Sequence, residues 1–239
     1  MSSKNLLIAS LASTSFLFAS SSYATTLINM DLGKGFGNDG VGFGQGVSVL
    51  YSGPAAVGSA GDFWNSTDTE DNVFLTALSD SAGNVLTSSG FTWSDELQST
   101  DTGNPDFGAL DGLMEDSSFV APNDTATAII DTPFDSSDYT IYLFGVSNDA
   151  GQDSTFTVVG ANEGAQTVTS PDLLGPLTLG DDYVVFTGTT SGTGTIELTF
   201  TGGSNFASFN GFQLEVVPEP SSLALIGLGG LLVARRRRG

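Results

Sequence analysis

Short runs rich in Val, Ile, Thr and Phe recur between Thr25 and Val217, separated by Gly, Asn, Asp and Ser. Runs of this length and composition are typical of β-strands. Several of them at this spacing favour an antiparallel sandwich or jelly roll. The sequence therefore predicts one all-β domain. The predicted strands are 25–32, 47–51, 73–78, 85–93, 125–131, 139–146, 154–159, 182–187, 195–200 and 206–217.

Two local patterns refine this prediction. A Gly-Asn turn within 79–84 separates the third and fourth runs and predicts a hairpin. Leu110, Leu113 and Met114 recur at the spacing of one helical face. They predict one short helix over 110–119.

The chain contains neither cysteine nor histidine. This excludes disulfides, thiolate metal sites and a cysteine nucleophile, and a serine nucleophile would lack its usual base. The core must come from apolar packing alone, to which 17 phenylalanines contribute. We expect a non-enzymatic domain. A glycan hydrolase that uses two carboxylates is the catalytic alternative that stays open.

The N-terminal segment has the pattern of a secretory signal peptide. Lys4 precedes a short apolar stretch, and the small residues Ser22 and Ala24 close the segment. We therefore expect residues 1–24 to form a signal helix that directs export through the Sec translocon. Signal peptidase is expected to cut after Ala24.

The C-terminal segment has the pattern of a short membrane helix. Residues 223–234 are twelve apolar residues, fewer than the roughly 20 that a spanning helix needs. A cationic cluster follows and is expected to stay in the cytoplasm, which places the preceding domain outside. We therefore predict transient anchoring in the inner membrane. The cluster consists of Arg235, Arg236, Arg237 and Arg238.

Removing both ends leaves a strongly acidic domain. Lys34 is the only lysine or arginine between Thr25 and Val216, and this stretch keeps 26 of the 27 carboxylates, so its formal charge is −25. Such a surface repels nucleic acid and anionic lipid headgroups. It attracts divalent cations or simply maintains solubility.

Two acidic loops are candidate calcium sites. Calcium takes about six to eight oxygen ligands from carboxylates, amides and carbonyls. Neither loop matches the EF-hand pattern, and Asp and Asn are also ordinary turn formers, so both interpretations stay open. The candidate ligands are Asp101, Asn104, Asp106, Asn148, Asp149 and Asp153.

Trp64 and Trp93 are candidate carbohydrate-binding residues. Trp64 lies in a stretch rich in Gly, Ser and Asp, and Trp93 ends a predicted strand. An exposed indole offers a flat face on which a sugar ring stacks. The alternative is that both tryptophans belong to the core.

The tail resembles a known sorting signal. Val217, Pro218, Glu219 and Pro220 precede the apolar run and the arginine cluster, and this order resembles the PEP-CTERM sorting signal over residues 217–239. The resemblance implies recognition at the inner membrane of a Gram-negative bacterium by an exosortase, which removes the tail near Pro-Glu-Pro. It also implies an association with exopolysaccharide and biofilm.

The domain itself has a weaker resemblance. Residues 57–65, 139–144 and 210–214 look like segments of β-sandwich cargo domains, some of which resemble galactose-binding-like jelly rolls. Together these observations predict a signal peptide (1–24), an acidic sandwich (25–216) and a sorting tail (217–239). They favour a cell-surface or matrix protein, with exopolysaccharide binding as one hypothesis. A structural or adhesive protein without a defined ligand is the alternative.

Overall fold

The computed structural model describes residues 25–32, 53–67, 74–93, 98–101, 113, 116–145, 152–169 and 177–217. In this part of the chain most of the regular structure is β-strand. The strands are β1 (Thr26–Leu32), β2 (Asn65–Thr67), β3 (Phe74–Leu75), β4 (Leu78–Ser79), β5 (Val85–Leu86), β6 (Gly90–Trp93), β7 (Gln98–Asp101), β8 (Asp116–Val120), β9 (Thr125–Asp131), β10 (Asp138–Phe144), β11 (Ser154–Val158), β12 (Gln166–Val168), β13 (Tyr183–Thr189), β14 (Thr195–Gly202), β15 (Ala207–Phe209) and β16 (Gly211–Val217).

The first large sheet has five strands in the order β13-β10-β16-β1-β2. Its pairs are antiparallel except that β1 and β2 run parallel, with Met30 opposite Asn65. Strand β16 lies between β10 and β1, so Leu214 is opposite both Ile28 and Ile141. The first and last strands of the domain therefore pair in the middle of one sheet.

The second large sheet has six strands in the order β12-β11-β14-β9-β6-β3. Phe91 from this sheet and Phe212 from the first have ring centroids 5.6 Å apart, which places the two sheets face to face. A three-stranded sheet (β15-β8-β7) and a two-stranded one (β4-β5) complete the described strands. The architecture is the β-sandwich that the sequence predicts.

The core between the sheets comes from the alternation of side chains along each strand. In β9 and β14 every second residue is fully buried or nearly so, and the residues between them face outward. Small Ala126 is opposite large Phe200, so neighbouring inward side chains differ in size and fill the space.

Threonines occupy many of the outward positions of the second sheet. The hydroxyl oxygens of Thr125 and Thr201 are 3.0 Å apart, and those of Thr155 and Thr167 are 2.9 Å apart. Threonine favours extended backbone, and cross-strand pairs of this kind stabilise a sheet. These threonines form much of the outer surface of this sheet, which also carries Glu197 and Asp131.

The β11–β12 connection covers the outer edge of β13. Glu163 accepts hydrogen bonds from the Thr187 N–H at 2.7 Å and from the Thr187 hydroxyl at 2.8 Å. Gln166 Nε2 donates to the carbonyl of Val185. The backbone bond from Thr187, with the side-chain bond, lowers the pKa of Glu163. Covering an edge in this way blocks pairing with another chain.

Most predicted strands that fall in the described residues are confirmed, as is the hairpin. Its two arms pair as β4 with β5 and as β3 with β6, and the second arm carries two extra residues between the pairs. Ser89 lies at this bulge, where its Oγ accepts the Leu78 N–H at 2.7 Å and donates to the Leu86 carbonyl at 2.7 Å. The predicted strand 47–51 lies outside the described residues.

The predicted helix over 110–119 is wrong at its C-terminal end, because Asp116–Val120 is strand β8. Ser118 of that strand is opposite Phe209 of β15, so pairing with a distant segment overrides the local helical pattern. Leu113 has helical backbone conformation and is fully buried. The predicted signal helix and C-terminal membrane helix lie outside the described residues.

Candidate functional site

The two tryptophans are core residues. Trp93 is 3% exposed, and its ring centroid lies 4.8 Å from that of Phe91 and 5.5 Å from that of Phe209, both edge to face. Trp64 is 2% exposed and donates from Nε1 to the Gly53 carbonyl at 2.9 Å. An indole enclosed in this way has no free face for a sugar ring. The prediction that these residues stack on carbohydrate is therefore wrong.

The candidate calcium ligands fall mostly outside the described part of the chain. Four of them lie outside the described residues: Asn104, Asp106, Asn148 and Asp149. Asp101 is the last residue of β7, and Asp153 is exposed directly before β11. Within the described ranges, no group of three or more carboxylates is placed to hold a metal ion. Calcium binding stays a prediction.

The outer face of the five-stranded sheet carries a polar site that begins with a row of buried amides. Gln213 Nε2 donates to Asn29 Oδ1 at 2.9 Å and to the Val57 carbonyl at 3.0 Å, and Gln213 Oε1 accepts the Val57 N–H at 3.0 Å. Asn29 Nδ2 donates to the Phe63 carbonyl at 2.9 Å. These bonds attach the segment 53–63 to the β1 and β16 side of the face.

Asn65 extends the same network to the hairpin. Its Nδ2 donates to the carbonyls of Asn29 at 2.8 Å and Ser79 at 2.9 Å, and its Oδ1 accepts the Ser79 N–H at 2.7 Å. A buried side-chain amide destabilises the fold if its donors or acceptors lack hydrogen-bond partners. Asn65 therefore fixes the start of β2 against both β1 and the hairpin.

The other half of this face presents two tyrosines and a carboxylate. Tyr142 of β10 donates its hydroxyl to Glu215 Oε2 at 3.1 Å. The ring of Tyr183, at the start of β13, is 6.2 Å from that of Tyr142 and 5.8 Å from that of Phe144. Both tyrosines and Glu215 are half-buried. We call Tyr142, Tyr183 and Glu215 the tyrosine face.

A second apolar cluster packs against the two tyrosines of the tyrosine face. Trp64, Leu113 and Phe144 form its buried part, and Tyr142 and Tyr183 pack against them. Ala55, Ala56 and Leu177 also contact this cluster. The tyrosine rings are therefore held in place by packing while part of each remains accessible.

The Tyr142 hydroxyl is held in its protonated form. Burial, the charge of Glu215 and the hydrogen bond to that carboxylate raise the pKa of Tyr142 to about 12. Tyr142 therefore offers a neutral hydroxyl beside the side chain of Glu215. Two amphipathic rings beside such acceptors suit a ligand with both apolar faces and hydroxyl groups.

Sequence reasoning missed the tyrosine face, although the alternation in β10 contains the signal. Tyr139, Ile141 and Leu143 are buried on the core side, so Thr140 and Tyr142 must point to the opposite face. In the sequence Tyr142 stands between the apolar residues Ile141 and Leu143, so the stretch is almost continuously apolar and does not reveal this outward tyrosine. The pairing of Tyr142 with Glu215 needs the β10–β16 register, which only the structure provides.

The candidate sorting motif begins inside the folded domain. Val216 is fully buried and pairs with Thr26 on one side and Tyr139 on the other. Val217 is 45% exposed and ends β16. Pro218, Glu219, Pro220 and the arginine cluster lie outside the described residues. In the described ranges, no helix combines the length and apolarity that crossing a membrane requires.

Comparison with solved structures gives three distant similarities. A peptidoglycan O-acetylesterase is 15% identical, with a TM-score of 0.29, over 62% of this chain and 34% of that one. TmCBM61 in complex with beta-1,4-galactotriose is 12% identical, with a TM-score of 0.28, over 52% of this chain and 86% of that one. An exo-beta-1,3-galactanase from Phanerochaete chrysosporium with galactose is 13% identical, with a TM-score of 0.27, over 57% of this chain and 36% of that one.

The chain spans about a third of the length of the esterase and the galactanase, and similarities this distant assign no ligand. No curated protein matches the chain. A family model for the PEP-CTERM protein-sorting motif does match, at residues 216–238. This match covers the Val-Pro-Glu-Pro segment, the apolar run and the arginine cluster. The chain therefore carries a PEP-CTERM protein-sorting motif, which starts at the last buried residue of the central strand β16.

Proposed function

We propose that this protein is an exported, non-enzymatic surface or matrix protein that binds exopolysaccharide through the tyrosine face. The sorting half of the proposal rests on the motif at residues 216–238, which implies processing by an exosortase after transient anchoring in the membrane. The resemblance of the tail to this sorting signal also supports a Gram-negative bacterium as the cell that exports the protein. The signal peptide pattern of residues 1–24 supports export through the Sec translocon and signal peptidase.

One observation carries the binding half. Tyr142 and Tyr183 form a pair of half-buried rings whose neighbour is the carboxylate of Glu215. Such rings supply apolar contact area, and the hydroxyl and carboxylate oxygens supply hydrogen bonds that orient a polyhydroxylated ligand. The segment 53–63 is fixed beside them, so little ordering is needed when a ligand binds.

The charge of the domain narrows the ligand class. Its formal charge is −25 with Lys34 as the only cation between Thr25 and Val216. A polysaccharide rich in uronic acid or sulfate would meet repulsion from such a surface. We therefore propose a neutral polysaccharide, held by stacking and hydrogen bonds rather than by ion pairs.

We propose binding rather than hydrolysis because the chain lacks the histidine and cysteine that most hydrolytic sites use. The carboxylate on the tyrosine face is engaged with the Tyr142 hydroxyl. A glycoside hydrolase needs a second carboxyl group at a defined distance across the scissile bond.

The test is saturable binding of the exported domain to purified exopolysaccharide from the producing organism, measured by calorimetry and by retardation in polysaccharide-containing gels. Tyr183→Ala is expected to abolish retention. Phe63→Ala is the matched control, because Phe63 is a 41% exposed aromatic residue outside the tyrosine face. Near-ultraviolet circular dichroism checks that both variants keep the fold.

The outcomes separate the alternatives. Retention lost only in Tyr183→Ala supports the proposal, whereas equal loss in both variants contradicts the assignment of the site. No saturable binding by the unmodified protein would favour the structural or adhesive role. Release of reducing sugar that requires Glu215 would favour a hydrolase.

A further inference from the structure

Both ends of the folded domain leave from the same side of the sandwich. Thr26, the first residue of β1, is directly opposite Val216 near the end of β16. The predicted signal peptide precedes Thr25 and all but the first two residues of the sorting motif follow β16, so the two membrane-directed segments are attached to neighbouring strands. The domain is therefore able to complete its central sheet while both segments remain at one membrane.

Two turns lie at this same side. Asp138, the first residue of β10, is opposite Val217 and Thr189, which places the β9–β10 turn (residues 132–137) and the β13–β14 turn (residues 190–194) beside the exit point. The Thr190 N–H donates to the Ser137 carbonyl at 2.9 Å and joins the two turns. We call Thr25, both turns and Val217 the terminal end of the domain.

Only a short segment connects the terminal end to the apolar run of the tail. Five residues, Pro218 to Ser222, lie between Val217 and Leu223. Even fully extended, five residues span at most about 18 Å. While the tail is inserted, the terminal end must therefore stay within roughly that distance of the lipid.

The two tyrosines of the tyrosine face lie towards the opposite end, whereas Glu215 is two residues from Val217. From Asp138 to Phe144, strand β10 runs away from the terminal end for seven residues, a rise of about 20 Å. Tyr183, opposite Phe144, lies at that far end, as does exposed Asp181 just before it. The terminal end also carries exposed Asp135, and exposed Asp138 adjoins it; anionic headgroups repel both carboxylates.

We infer that the sorting tail holds the sandwich upright, with the terminal end facing the lipid surface and the far end, with the rings of Tyr142 and Tyr183, directed away from it. This inference rests on the sorting half of the proposed function and is independent of the ligand. Attachment at a single end leaves the ligand site accessible before the tail is removed. Acidic residues at the facing end favour release once the tail is cut.

The absence of cysteine allows a direct test, because one introduced thiol is labelled alone. Asp135→Cys marks the terminal end and Asp181→Cys marks the far end; both side chains are exposed. Each labelled exported protein with its tail retained is incorporated into phosphatidylcholine vesicles whose headgroups carry a short-range nitroxide quencher. Vesicles without the quencher give the reference intensity, and flotation in a density gradient reports attachment.

We expect both proteins to float and the label at position 135 to be quenched at least about twice as strongly as that at 181, because the strands separate the two labels by about 20 Å. Flotation with equal quenching at the two positions would overturn the upright orientation and leave the sorting role intact. Failure to float would overturn the anchoring role of the tail and the orientation with it.

Discussion

Gln213→Met tests whether the buried amide network holds the segment 53–63 on the sheet. Methionine has a similar length, so the change removes three hydrogen bonds without opening a large cavity. Asn29 Oδ1 is left buried and without its donor, which costs about 1–3 kcal/mol. The half-buried Val57 groups regain water and add about 1 kcal/mol. We expect the free energy of unfolding to fall by about 2–4 kcal/mol.

Urea unfolding followed by tryptophan fluorescence measures this loss, because Trp64 and Trp93 are both buried in the folded state. Gln166→Met is the matched control, since Gln166 makes a single side-chain bond, to the Val185 carbonyl at a half-buried edge. It is expected to cost about 1 kcal/mol or less. A loss below about 0.5 kcal/mol in Gln213→Met, within the range of ordinary surface changes, would refute the role of the network.

Three further predictions concern other parts of the molecule. The absorbance of the Tyr142 phenolate is expected to appear near pH 12. Glu215→Gln is expected to move the midpoint of this titration towards pH 10, because the neighbouring charge is lost while Tyr142 stays buried. Because the unfolded tyrosine deprotonates first, this group should lower folding stability as the pH rises from 10 to about 12. Gly194→Ala should destabilise the fold by more than about 1 kcal/mol, because Gly194 has φ +74° and an added Cβ would clash with the Thr132 carbonyl oxygen. Gly192→Ala serves as its control, because an added Cβ there meets nothing within 4 Å. If the acidic loops bind calcium, added Ca²⁺ should raise the melting temperature and a chelator should reverse the rise, whereas an unchanged melting temperature would contradict that site.

Strands with regular alternation could be predicted from the sequence. In β9, Ala126, Ala128 and Ile130 alternate with outward residues that are polar except for Ile129, and this alternation indicates the buried side of the strand. Short polar strands carry no such signal. The segment Asn65–Thr67 pairs with β1 and Gln166–Val168 pairs with β11, and neither has enough apolar residues to be recognised alone. Their partners across the sheet decide their conformation.

The site residues were harder to predict because the type of a residue does not by itself determine whether its side chain is exposed to solvent. Trp93 and Phe91 lie two residues apart in β6, so they share the buried face of the sheet. Burial of Trp64 depends on Phe144 and Leu113, which are distant in sequence. The tyrosine face joins three strands, and its two rings become neighbours only through the register of β10 with β13.

Strand β16 links the three properties of the molecule that matter most for its proposed role. Phe212, Leu214 and Val216 enter the core, whereas Gln213 and Glu215 point to the outer face and hold the amide network and Tyr142. The sorting motif then begins at Val216, the penultimate residue of the strand. Because β16 lies between β10 and β1, cutting before Val216 would remove its pairs with Tyr139 on one side and with Thr26 on the other. Processing by the exosortase is therefore expected to leave Val216 on the domain, and mass spectrometry of the exported form would contradict this if the chain ended at Glu215 or earlier.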